Sequence, residues 1–122
     1  MTVLPEVNRA VVVALPREPF LDWLNGVEAT LPEEERTPIT LVELHETPTA
    51  YLIPVVETAD ELAEVLADAW PEIFEAELAS WYQDEEYWPE GRTRELFDEW
   101  FELRFGEMVF DLGHGALKAS PG

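Results

Sequence analysis

The stretch Arg9-Ala-Val-Val-Val-Ala-Leu15 decides how the rest of the chain is read. Past Arg9 it shows no polar alternation and is β-branched at its centre, the pattern of a strand buried on both faces. Pro16 ends it. A helix follows: Pro19 suits the first helical turn, where its missing N–H costs nothing, and Phe20, Trp23, Leu24 and Val27 form one apolar stripe. Asn25-Gly26 offers a left-handed stop near its end.

Glu28 to Pro38 is acidic and holds two prolines, so it reads as an exposed loop. Ile39 to His45 supports two readings. Thr40, Val42 and Leu44 alternate as in a strand, whereas Thr40 with Glu43 makes a capping box for one helical turn; the balance leans to the short helix. Thr49 to Val56 is a strand, with Tyr51, Ile53 and Val55 on one side, Ala50 and Leu52 on the other, and Pro54 near its end or on an unpaired edge.

Thr58-Ala-Asp-Glu61 is a second capping box, opening a helix whose stripe is Leu62, Val65, Leu66 and Ala69. Pro71 predicts a kink or a fresh start, with a second helical segment to Tyr82. Gln83 to Arg92 reads as a loop, Thr93 to Phe105 as a last helix ended by Gly106, and Met108 to Leu112 as a closing strand. The expected architecture is one α+β domain over residues 1–112, a sheet of three or four strands packed against about four helices, with 113–122 as a mobile tail.

Composition narrows the function classes. The chain has 122 residues, 47% of them hydrophobic, which suffices for one core. It has no cysteine, excluding disulfides, thiolate metal sites and cysteine nucleophiles. No basic run precedes a long apolar stretch at the start, so the expectation is a cytoplasmic protein without a membrane span. With 27 acids against 7 bases the formal net charge is −20, which repels nucleic acid phosphates and anionic membranes. The expected partner is a protein with a basic surface. Adaptation to high salt explains the same charge, and the single lysine, Lys118, supports it. Mimicry of the DNA backbone requires carboxylates in a regular double row; here they are scattered through amphipathic helices.

No glycine-rich phosphate loop, nucleophile elbow or paired histidines are present, so no cofactor and no metal are expected. His45 and His114 read as bystanders. Asp84-Glu85-Glu86 lacks the alternating oxygens of a calcium loop and reads as solvated, but beside Tyr87 and Trp88 it forms a candidate partner-binding loop. Trp81 is expected to plug the core beneath it. Helical geometry also places Glu77 among Ile73, Phe74, Leu78 and Trp81, and Arg104 among Leu96, Phe97, Trp100 and Phe101. An acid and a base on two apolar faces are expected to meet as a buried ion pair, or to line a pocket.

The segments Pro19-Phe-Leu-Asp-Trp-Leu-Asn25, Thr49-Ala-Tyr-Leu-Ile-Pro54, Ile73-Phe-Glu-Ala-Glu-Leu78 and Val109-Phe-Asp-Leu112, with Trp88-Pro89, Arg92, Phe97 and Trp100-Phe101, resemble a family of small bacterial proteins with no assigned function. The resemblance runs nearly to Leu112; it implies a self-contained bacterial domain and carries no activity. The sequence reading is therefore a non-catalytic protein-binding domain. Its alternative is a small enzyme or ligand-binding protein using Glu77 and Arg104 in an apolar pocket.

The charge alone generates one expectation. Like charges repel at low ionic strength and screening relieves them. The thermal midpoint should rise from low salt to molar potassium chloride; a flat or falling curve would remove salt adaptation as the reason for the acidic surface.

Overall fold

The computed structural model describes residues 5–119. β1 (Ala10–Pro16) is the middle strand of a three-stranded antiparallel sheet ordered β2-β1-β3, with β2 at Thr49–Ile53 and β3 at Phe101–Gly106. Four α-helices complete the α+β domain: α1 (Glu18–Glu28), α2 (Leu41–Glu46), α3 (Ala59–Ala79) and α4 (Arg94–Trp100).

The register shows which side chains share a face. Val12 stands between Tyr51 and Phe105, and Val13 between Ala50 and Arg104. Residues directly opposite in an antiparallel pair point the same way. Ala10, Val12 and Ala14 therefore line the face that helices cover, and all three are fully buried. Val11, Val13 and Leu15 point to the other face and are only half-buried. This corrects the expectation of a strand buried on both sides: three strands support one layer of helices, and the second face stays open, with Ala50, Leu52, Glu102 and Arg104 beside the valines.

The small side chains of Ala10 and Ala14 make room for rings. Phe20 of α1, Phe74 of α3, Phe97 of α4 and Phe101 of β3 belong to one cluster, with Phe74 centred 5.7 Å from Phe97 and 5.5 Å from both Trp100 and Phe101. Ring pairs at these separations add to the stabilisation from burial.

Local signals start the helices. Thr40, Thr58 and Thr93 each accept a hydrogen bond from the backbone N–H three residues on, at Glu43, Glu61 and Leu96. The Thr40 cap settles the ambiguous segment as helix. Helix α1 runs two residues past Gly26 to Glu28.

Pro71 does not restart the helix: α3 is one helix of 21 residues that runs through it. The proline ring lies on the exposed side, while Ile73, Phe74 and Leu78 beyond it are buried against the sheet. Their burial outweighs the loss of one backbone hydrogen bond.

The largest departure is at the last helix. It ends at Trp100, not Phe105, and Phe101 enters β3 with no intervening loop. The run Phe101-Glu-Leu-Arg-Phe105 alternates with period two, so pairing with β1 places Phe101 and Leu103 toward the core. Gly106 is not a helix stop. It faces Val11 so closely that a Cβ there would lie 2.7 Å from a valine methyl. Met108–Leu112 forms no full strand; it contributes a single bridge, Glu6 to Phe110, with Val7 N–H donating to Val109. Residues 113–119 have no regular structure, and the rest of the expected tail lies outside the described residues.

The helix-to-strand change separates Arg104 from Glu77. Arg104 lies on the open face of the sheet, its side chain 67% exposed and 3.4 Å from Glu102. Glu77 is buried beneath α3 on the opposite face. The expected ion pair is not formed, because strand geometry turns Arg104 away from the side it would take on a helix.

Two substitutions separate strand from helix energetically. Arg104→Ala should change stability by no more than about 0.5 kcal/mol, as expected of an exposed surface site. Phe101→Ala should cost about 3–5 kcal/mol as a truncated core aromatic. Denaturant midpoints check both, and a large loss from Arg104→Ala would overturn the strand assignment.

Candidate functional site

The C-terminal half of α3, the start of β2 and α2 enclose an open groove of about 420 Å³. Helix α2 is held at the end of the sheet by His45, whose Nε2 lies 2.6 Å from the Pro16 carbonyl. A carbonyl can only accept, so this nitrogen carries the proton, and the contact ties α2 to the end of β1. Across the groove α3 contributes Glu77, Ser80 and Trp81, β2 contributes Thr49, and α2 contributes Glu43 and Glu46.

Glu77 is the one buried charged residue among the described residues, at 6% exposure. Its partner is Tyr51, whose hydroxyl donates to Glu77 Oε2 at 2.6 Å. Burial raises the Glu77 pKa above the ordinary carboxylate value, and the hydroxyls of Tyr51 and Thr49 pull it back in part. The Tyr51 phenol is raised as well, first by its own burial and then by its bond to the carboxylate. The alternation of β2 put Tyr51 on the same side as Ile53, the structure turns that side to the core, and a half-buried tyrosine needs a partner for its hydroxyl. What the sequence could not show is that this partner is Glu77.

Trp81 does not plug the core. It sits past the end of α3, is 43% exposed and forms one wall of the groove. A tryptophan face beside Glu43, Glu46 and Glu77 suits an ammonium or guanidinium group, which gains cation–π and ionic contacts together.

The loop 83–92 forms a separate feature. Asp84 starts a short 3₁₀ turn (Glu85–Tyr87) by accepting from the Glu86 N–H, which leaves Glu85 and Glu86 in solvent. Tyr87 is 41% exposed and packs on Tyr82 with ring centres 5.5 Å apart. Trp88 is half-buried against the core, and its indole N–H donates to the Tyr82 carbonyl. Trp23 likewise donates to the Tyr87 carbonyl, and Arg92 lies over the Trp88 ring while pairing with Glu75 at 3.6 Å. The loop is thus pinned from several sides, with Tyr87 as its outward aromatic. Nearby, the Tyr82 hydroxyl donates to Glu28, which lowers the Glu28 pKa and, with burial as the larger cause, raises the phenol to about 12.

The structure therefore separates what the sequence reading grouped. Glu77 joins Tyr51, Thr49 and Trp81; Tyr87 and Trp88 join Tyr82 and Trp23; Arg104 stands apart with Glu102. Among the described residues no cluster of three or more His, Asp or Glu side chains is arranged to hold a metal. No helix there is long and apolar enough to cross a membrane.

The direction of the Glu77 shift sets a pH dependence. With its folded pKa raised, the native state holds a proton that the unfolded state has released, so stability falls as pH rises from about 4.5 through the folded value. Glu77→Gln should therefore gain stability relative to the native protein between pH 4 and pH 8. A difference that stays constant across that range would contradict the buried carboxyl. Tyr51→Phe should cost about 1–3 kcal/mol by stranding a polar partner.

Compared with protein-family models, with curated proteins and with solved structures, the chain finds no match.

Proposed function

We propose that this is a non-catalytic, cytoplasmic protein-binding domain, a member of a family of small bacterial proteins, whose helical side takes a basic surface of a partner protein. The observation that carries the reading is how charge divides between the two sides of the fold. Of 27 acidic residues only Glu102 lies in a strand, where Arg104 neutralises it. Helix α3 alone has seven acids and no base. The acids are therefore concentrated away from the open sheet face. Such a one-sided field accelerates encounter with a basic partner and orients it.

The alternative of a ligand pocket built on Glu77 and Arg104 loses its base, since Arg104 belongs to the open face of the sheet. The hydrogen-bond partners of Glu77 are then the hydroxyls of Tyr51 and Thr49. Tyr87, Asp84, Glu85 and Glu86 remain the exposed part of the loop 83–92 and fit the rim of a binding surface.

Binding of a lysine-rich polypeptide, followed by calorimetry, tests this reading. Affinity should fall steeply as salt rises. Replacing the exposed Glu64, Asp68 and Glu72 together by lysine should weaken it about tenfold or more, as expected when a charged contact surface is reversed. Unchanged affinity in that variant would place recognition elsewhere.

A further inference from the structure

The two outer strands of the sheet differ in how they are guarded. Exposed strand edges pair readily with other chains, and proteins usually blunt them with charge, proline or a covering element. Edge strand β3 carries Glu102 and Arg104. Edge strand β2, Thr49-Ala-Tyr-Leu-Ile53, carries no charge and no proline; Pro48 and Pro54 flank it instead. Thr49 and Ala50 are exposed and Leu52 is 54% exposed. Among the described residues, no backbone hydrogen bond outside the β1 ladder involves Thr49–Ile53. The outer row of β2 amides and carbonyls is free.

A groove of about 250 Å³ runs beside that edge, between β2 and α3. Tyr51, Leu52 and Ile53 line one side, and Ala69, Ile73 and Ala76 the other, with Glu72 among them. Small side chains on α3 leave space next to the strand, and Glu72 and Asp68, one helical turn earlier, bring negative charge to its border.

We infer that an extended, basic segment of a partner protein adds to the β2 edge as a fourth strand, in the groove between β2 and α3. The inference rests on the proposed basic partner and gives that partner a form. Main-chain hydrogen bonds to β2 supply affinity in strand addition, and alternate side chains supply selectivity. Apolar side chains of the segment meet Ala69 and Ala76 above the buried Ile73, while its lysines or arginines meet Glu72 and Asp68. A second copy of this chain is the poorer occupant: pairing two β2 edges brings two α3 helices, each with seven acids and no base, toward one another.

The probe is an eight-residue peptide alternating lysine and valine, compared with the same peptide N-methylated on alternate backbone amides and with octalysine. Affinities are read by calorimetry and protection by amide hydrogen exchange on the intact protein. The expected result is that the alternating peptide protects backbone amides within Thr49–Ile53, and that N-methylation or Glu72→Lys weakens it at least tenfold. Equal binding of the methylated peptide, or protection confined to the Trp81 groove, overturns strand addition and leaves the basic-partner reading standing. Failure of all three peptides to bind at low salt overturns both. Protection of β2 that appears without peptide and disappears on dilution identifies a second copy as the occupant and overturns the inference.

Discussion

The packing of aromatic rings onto the small side chains of one strand is the contact on which the other features rest. Ala10, Val12 and Ala14 give β1 a low surface, and Phe20, Phe74, Phe97 and Phe101 reach it from α1, α3, α4 and β3. Larger residues at Ala10 or Ala14 would hold the helices away and open voids among the rings, which native packing density does not tolerate. That contact keeps α3 continuous through Pro71, since the buried residues beyond the proline are fixed by the sheet and not by the helix alone. It also sets the depth of Glu77, which shares its helix with Ile73, Phe74 and Leu78 and cannot leave the core without them.

A carboxyl held at that depth is tolerated because Tyr51 and Thr49 reach it from β2. A hydroxyl satisfies a buried carboxyl whether or not it is ionised, which an arginine would not do as evenly. The polar link joins α3 to an edge strand that has few other partners, so the strand with the freest edge is also tied to the most acidic helix. Charge, groove and open edge meet on that side of the molecule, and the sheet's other face stays nearly neutral.

The misplaced arginine shows where pattern reading meets its limit. Leu96, Phe97, Trp100, Phe101 and Leu103 fit a helical face, while Phe101, Leu103 and Phe105 fit a strand equally well. Both periods overlap across Trp100-Phe101, and no proline or glycine separates them. Sequence spacing therefore allowed helix to run on to Phe105. Pairing with β1 decided otherwise, because six residues of β3 find register partners there, from Pro16 opposite Phe101 to Val11 opposite Gly106. Trp81 was misread for a related reason: it continues the stripe of α3 by spacing, but the helix stops at Ala79 and its direction is no longer helical.

What the sequence by itself determined are the properties written into short windows. The threonine caps at Thr40 and Thr58, a first strand ended by Pro16, the lean to helix between Ile39 and His45, the α+β class and the place of Glu77 on a buried helical face each follow from side chains within a few residues of one another. Local capping and periodicity act over one or two turns, so a short window contains their cause. Tertiary structure alone decided the end of α4, the open face of the sheet, the pairing of Glu77 with Tyr51 and the separation of Arg104 from both. Those depend on which strand finds which neighbour, a contest between distant segments that no local period records.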